Sequence, residues 1–421
     1  MPWRTPSSGS CTCGWSRGNP GDPAGVKEDM KPKRSKGKRS KGSRDVAMLV
    51  AIAMLLAACT TKTATAPGPA SPTASATQSA TPTQTATPTV VPVPKGFRPA
   101  SVTFVSLQTG WVLGATCPTC TVSLLRTRDG GRTWASIPGP PTVLAPDQSA
   151  GVHEVRFADL NNGWVFGAEI WATHDGGSHW ARSTLPVGGP PGVSDLAASG
   201  GVAQAVVFST TNAFEIFTTP AGRDAWQPSP TKLPVGAGPV PIAQIVLQGG
   251  SGWVIQNDRV VVNGARLAGG AWVPWQPPCV NPSAGGPAVL AASTPTDLVA
   301  ACSEGRFAGP AVDVRVFLST NGVTFPAQGT VVPAATDAQG VASPVPSTIV
   351  VADAARLVAS FDRAATWTTV FSGSPSGGWR DLGFTSPTQG VVVEAGQGTQ
   401  PGVLLMTHDG GHSWVPVPFT T

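Results

Sequence analysis

Two carboxylates held about 5–10 Å apart can hydrolyse a glycosidic bond, one working as acid and the other as base or nucleophile. Glu154, Asp159, Glu169, Glu215, Asp258, Asp313, Asp381 and Glu394 are acids of this chain open to such a role. Nothing in their spacing selects a pair. Two of them would have to come from different stretches of chain and meet at a common centre, so scattered surface acids are the simpler reading and no catalytic residue is assigned. Cys117-Pro-Thr-Cys120 has the spacing of a redox dithiol, but that chemistry uses a helix N-terminus to lower the thiol pKa. Here a strand-like segment follows, which makes the pair a local disulfide staple. His174 with His179, and His408 with His412, sit in turns; zinc would need further ligands from another turn. No metal and no cofactor is expected.

The most suggestive set of reactive residue types is the phrase Thr127-Arg-Asp-Gly-Gly-Arg-Thr-Trp134, with its acid, hydroxyls and flexible backbone. It returns as Thr173-His-Asp-Gly-Gly-Ser-His-Trp180 and Thr407-His-Asp-Gly-Gly-His-Ser-Trp414. Repetition argues for a stacking device before a catalytic one. Asp129, Asp175 and Asp409 are expected to accept backbone N–H groups within a tight turn. The pairs Gly130-Gly131, Gly176-Gly177 and Gly410-Gly411 supply the positive φ that such a turn needs. Trp134, Trp180 and Trp414 then pack between neighbouring units.

The elements that position these turns follow from their spacing. Trp134, Trp180, Trp226, Trp272, Phe325, Trp367 and Trp414 are separated by 46, 46, 46, 53, 42 and 47 residues. A period in the forties, made of short alternating strands broken by Gly, Asn, Pro and Ser, is that of four-stranded propeller blades. The first unit is clearest, with Val102-Thr-Phe-Val-Ser, Thr109-Gly-Trp-Val-Leu-Gly and Val122-Ser-Leu-Leu-Arg-Thr preceding its turn. The four middle turns, ending at Trp226, Trp272, Phe325 and Trp367, keep the length and the terminal aromatic more than the Asp. The expected fold is all-β, a seven-bladed propeller over residues 98–421.

The strand Gly-Trp followed by Thr-x-Asp-Gly-Gly-x-x-Trp is similar to the Asp-box, or bacterial neuraminidase, repeat. In combination the two motifs resemble the photosystem II assembly and stability factor family, most clearly in the first, second and last units. That resemblance implies a seven-bladed propeller that binds a partner protein and performs no chemistry; the photosystem role itself does not carry over. Sialidases share these turns but use a tyrosine nucleophile. This chain has no tyrosine, which excludes that mechanism. Nor do Arg98, Arg156, Arg259, Arg315 and Arg380 form a recognisable sialidase triad.

The amino-terminal part speaks of location. Residues 31–44 hold eight Lys or Arg and no acid, and the apolar run Val46 to Ala58 follows. A basic segment before a short apolar run reads as an export signal, too short for a stable span. The run ends Leu56-Ala57-Ala58-Cys59, which resembles the bacterial lipoprotein box, so residues 30–58 are read as a lipoprotein signal peptide and Cys59 as the lipid attachment site. Residues 1–29 fit no such pattern, and Met30 is read as the start; Cys11 and Cys13 then fall outside the translated chain. Residues 59–97, rich in Thr, Ala, Pro and Ser, form a disordered tether. At about 3.1 Å per residue it would reach on the order of 100 Å when extended.

Charge agrees. The first 58 residues carry eleven Lys and Arg against four acids, so of 28 basic and 23 acidic residues the remainder keeps 17 and 19, a balance of −2 in place of +5. The basicity belongs to the signal and does not point to nucleic acid. Of the remaining cysteines, Cys279 and Cys302 are read as a second disulfide, pinning the loop between two units. The function expected is that of a membrane-anchored, extracytoplasmic platform for a protein partner at the cell envelope. A glycan-binding or two-carboxylate glycan-cleaving propeller is the alternative. Two close acids flanked by exposed Trp171, Trp275 or Trp379 would mark the second.

Overall fold

The computed structural model describes residues 91–419, except 118–119, 146–149, 190–191, 210–211, 236–240, 259, 281–285, 306–312, 374 and 398–399. Cys11, Cys13, Cys59, the signal segment and the tether up to residue 90 lie outside the described residues. Within them the chain forms seven four-stranded antiparallel sheets, each a meander in sequence order, and no helix. The blades span residues 98–137, 152–182, 192–234, 242–275, 288–332, 340–372 and 379–416.

Blade one shows how sequence becomes layer. Its inner strand is Arg98–Phe104, followed by Gly110–Ala115, Ser123–Thr127 and the outer strand Ala135–Ile137. The second strand is buried along its whole length because neighbouring blades cover both its faces, so it reads as continuous apolar sequence instead of alternation. The core therefore lies between blades. Trp111 and Leu113 of blade one pack with Val155 and Phe157 of blade two, and the Trp111 indole stacks on Phe157 at 3.7 Å. The outer strands of blades two and seven are only two residues each, Ala181–Arg182 and Val415–Pro416. Short edges of this kind limit pairing with other chains.

The Asp-box turns are small hydrogen-bonded knots. Asp129 Oδ1 accepts from Thr133 N at 2.9 Å and from Thr127 Oγ1 at 2.8 Å, while Thr127 Oγ1 accepts from Gly131 N at 2.9 Å. Asp175 accepts from His179 N and Asp409 from Ser413 N in the same way. Trp134 donates its indole N–H to Gly131 O and meets Phe104 and Phe419 edge-on. Gly177 has φ +93, and a Cβ there would lie 2.7 Å from Ile137 Cδ1 of the neighbouring blade. Gly177→Ala is expected to cost about 1–3 kcal/mol through backbone strain and that contact, read as a lower urea midpoint at unchanged slope.

The four middle turns divide in a way the aromatic spacing did not indicate. In blade six Asp362 accepts from Thr366 N at 2.8 Å, and Arg363 and Ala364 take the positive φ values that glycines hold elsewhere. In blade five Asn321 replaces the Asp and accepts from Val323 N and Thr324 N. The blade-six knot is complete, with Ser360 Oγ accepting from Ala364 N, whereas the blade-five turn is one residue shorter and Val323 N bonds Asn321 in place of Ser319. Blade four instead joins its long strands Val260–Ala268 and Ala271–Trp275 through Gly269 and Gly270. In blade three Thr219 Oγ1 donates to Arg223 O and accepts from Ala225 N, while the one acid of the turn, Asp224, bonds Trp164 and His174 of blade two instead of the turn backbone.

Two disulfides are present among the described residues. Cys117–Cys120 closes the hairpin between the second and third strands of blade one. Cys279–Cys302, 23 residues apart, ties the segment after blade four to the second strand of blade five. Closing a loop of that length contributes about 3 kcal/mol in the chain-entropy model.

Every blade is complete in itself, including the seventh, whose strands are consecutive in sequence. The chain joins the propeller before position 98, inside the stretch expected to be tether. Val91 O accepts from Ser136 N on the outer strand of blade one, and Val93 is buried between blades one and seven. The prolines at 92 and 94 are consistent with a contact that adds no regular strand.

Candidate functional site: the central channel

The inner strands enclose a channel of about 830 Å³ along the propeller axis. Its charged lining residues are Glu154 and Arg156 of blade two, Asp195 of blade three, and Arg380 and Asp381 of blade seven. Two of the eight acids considered above, Glu154 and Asp381, thus meet. Both lie on one guanidinium nitrogen: Arg156 Nη2 is 3.7 Å from Glu154 Oε2 and 3.4 Å from Asp381 Oδ1. Their separation cannot exceed the sum of those two distances. Asp195 is the third carboxylate, and sequence spacing did not select it.

The rest of the expected candidates disperse. Asp159 caps a turn by accepting from Asn161 N and Asn162 N. Glu169 holds Trp171 Nε1 and Thr142 Oγ1, Glu215 pairs with Lys232, and Asp313 lies 3.8 Å from Arg315. Asp258 and Glu394 end the second strands of blades four and seven. Arg259 lies outside the described residues. Trp275 and Trp379 are buried, donating to Val323 O and Asp353 O, and Trp171 is half-buried. His174 bridges Asn162 and Asp224, His179 bonds Asp175, and His412 stacks on Phe361.

Most channel polar groups join blades. Ser101 Oγ accepts from Val155 N, Asp195 Oδ2 from Ile245 N, Gln244 Oε1 from Leu290 N and Asp381 Oδ2 from Val102 N, at 2.8–3.0 Å. Each bond runs from one inner strand to the next around the ring. The recurrence is local chemistry: a short polar side chain at one position of the inner strand reaches an N–H that has no partner within its own blade.

Electrostatics separates the channel from the turns. Burial, reinforced by Asp195 and Asp381, pushes Glu154 up to about 8, and burial pushes Asp195 up to about 6. In the turns, hydrogen bonds from His179 hold Asp175 down to about 2. Burial opposes the same effect at Asp409, but Ser413 and Thr407 still bring it down to about 2. The signs give a pH profile. The depressed turn acids stabilise the fold above their ordinary value of 3.8, and that contribution is lost as pH falls toward 2. Glu154, raised from 4.5, withdraws stability as pH rises from there toward 8. Melting temperature is expected to peak at mildly acidic pH, and Glu154→Gln should remove much of the decline on the alkaline side. A profile that rises monotonically from pH 5 to 9 would sink this assignment.

Residues 82–237 match the family model described as photosynthesis system II assembly factor YCF48. A solved structure of YCF48 bound to D1 peptide superposes with a TM-score of 0.51 at 20% identity, covering 76% of this chain and 96% of that one. The propeller resembles that assembly factor. YCF48 from Cyanidioschyzon merolae aligns equally well, with a TM-score of 0.51 at 17% identity over 76% and 98% of the two chains. A glycoside hydrolase family 74 enzyme from Niastella koreensis superposes with a TM-score of only 0.34 at 13% identity, over 76% and 65%. No curated protein sequence matches the chain. The likeness to YCF48 is one of fold, and the charged residues of the channel are described for this chain alone.

Proposed function

We propose that this protein is an exported lipoprotein, held to the extracytoplasmic face of the membrane through Cys59, whose propeller binds a protein partner and catalyses nothing. The observation that carries the non-catalytic reading is the state of the channel acids. Asp381 spends its oxygens on Val102 N–H of the next blade and on Arg156, and Asp195 spends its own on Ile245 N–H of the next blade and on Leu196 N–H of its own strand. A two-carboxylate hydrolase needs both acids free to exchange protons with substrate, and Glu154 alone is left for that. Buried Trp275 and Trp379 offer no stacking platform for sugar rings. Protein binding is supported by the resemblance to YCF48, which has been solved with a bound peptide.

The meeting of Glu154 with Asp381 favours the glycan-cleaving alternative, and one experiment addresses both. The lipidated protein, solubilised in detergent, serves as bait for envelope proteins and is incubated in parallel with a panel of cell-wall and plant polysaccharides. A reproducible envelope partner with no release of reducing sugar is the expected result. Reducing-sugar release that is abolished by Glu154→Gln would overturn the non-catalytic reading.

A further inference from the structure

Glu154 occupies the inter-blade bonding position without making its bond. In blades one, two and four the residue at this position immediately precedes the one whose N–H the preceding blade takes: Ser101 before Val102, Glu154 before Val155, Gln244 before Ile245. Ser101 and Gln244 bond onward to the next blade. Glu154 should likewise reach Leu196 N, but that N–H is taken at 2.7 Å by Asp195 Oδ1 of its own strand. Arg156 bridges the junction instead, donating Nε to Leu196 O. Glu154 is left at the channel wall with 23% of its side chain accessible and long ion-pair contacts in place of hydrogen bonds.

Its neighbour is also unsatisfied. His153 is 1% exposed, and neither ring nitrogen has a hydrogen-bond partner. Its Nε2 faces Glu154 Oε1 at 3.8 Å. Burial and Arg380 hold His153 down to about 4, so it brings no charge. Once Glu154 is ionised, the lining carries three carboxylates against Arg156 and Arg380, one negative charge in excess.

We propose that Glu154 anchors a basic side chain, lysine or arginine, which a protein partner inserts into the central channel. The inference rests on the platform reading above and names the chemistry of its partner. A guanidinium or ammonium supplies the donors that Glu154 lacks and cancels the excess charge. Charge-assisted bonds of this kind are the stronger class, and a channel that already desolvates the carboxylate makes the pairing worth more than at an open surface. Binding requires ionised Glu154, and the groups facing it are His153 and Arg156 on its own strand, Asp195 of blade three and Asp381 and Arg380 of blade seven. Affinity is therefore expected to rise with pH toward about 8 and to level off above it.

The test uses full-length protein in detergent, titrated calorimetrically with the capped tripeptides Gly-Arg-Gly, Gly-Lys-Gly, Gly-citrulline-Gly and Gly-Asp-Gly. The arginine and lysine peptides should bind. The citrulline peptide, matched in shape and neutral, should bind at least about tenfold more weakly, a difference of about 1.4 kcal/mol. Glu154→Gln should erase the preference while its melting temperature stays level or rises. Equal binding of the citrulline peptide, tighter binding of the aspartate peptide, or an unchanged preference in Glu154→Gln would each overturn the anchor. The bait experiment separates the two readings. A partner captured equally by wild type and Glu154→Gln removes the anchor and keeps the platform. Peptide discrimination with no partner captured removes the platform and keeps the site.

Discussion

Replacing Asp381 with alanine is expected to lower the stability of the propeller by about 3 kcal/mol, the largest effect of any single channel substitution. Three losses combine. Val102 N–H, bonded at 2.9 Å across the junction of blades seven and one, is left without its acceptor. The Arg156 guanidinium loses its 3.4 Å partner, and removing one member of a buried charge pair typically costs about 3–5 kcal/mol. Arg156 retains some access to water in the channel, which places the expectation at the lower end. Asp381 also sits at φ +52, a conformation that Asp and Asn tolerate better than alanine. Asp381→Asn keeps both the backbone tolerance and an acceptor for Val102 N–H, and should cost about 1 kcal/mol. Urea unfolding of the two variants checks the argument. Equal stability of wild type and Asp381→Ala would mean the junction is held elsewhere, principally by the apolar cluster of Val102, Val112, Val391 and Leu404.

Cys59→Ser is expected to move the protein almost completely out of the detergent phase in a phase-partition assay. A thiol is the only group of that side chain able to take the diacylglycerol. Anchoring by more than one acyl chain is stable where a single chain is marginal, so loss of the acceptor is all-or-none. The readout is paired with mass: on the lipoprotein proposal the wild type is expected to lack residues up to 58, whereas the variant is expected either as an aqueous secreted form or as an uncleaved precursor. A cleaved Cys59→Ser protein that still partitions into detergent would show that something else anchors it. Incorporation of a clickable fatty acid into wild type and its absence from the variant gives the same answer independently.

These two substitutions also mark what the sequence could and could not reveal. The aromatic period announced the blades because each must bury an apolar face against its neighbour, and that need fixes both the spacing and the outcome. The turns of blades five and six were harder to see. Neither has a Gly-Gly pair, although Ser360, Asp362 and Thr366 keep every hydrogen-bonding group of the knot and Asn321 accepts from Thr324 N while donating to its hydroxyl. The informative signal was a hydroxyl two residues before Asp or Asn, with a Thr or Ser ahead of the aromatic. The channel was not legible at all. Glu154, Asp195 and Asp381 are unequally spaced along the chain and meet only because successive inner strands converge on one axis. Asp195, flanked by Ser194 and Leu196, carries no local mark that distinguishes it from a surface acid.

Self-contained blades have a topological consequence. Phe97, which enters blade one, and Phe419, which leaves blade seven, touch edge-on at 5.2 Å. The junction between the last blade and the first is built from the same strand-to-strand bonds and apolar packing as the others, with no strand borrowed across it. The order of blades around the ring is thus cyclic, and the point where the chain opens is a property of connectivity alone. A gene rearranged to begin at blade three and end at blade two, with the present ends joined by a short linker, encodes the same ring of contacts and the same channel.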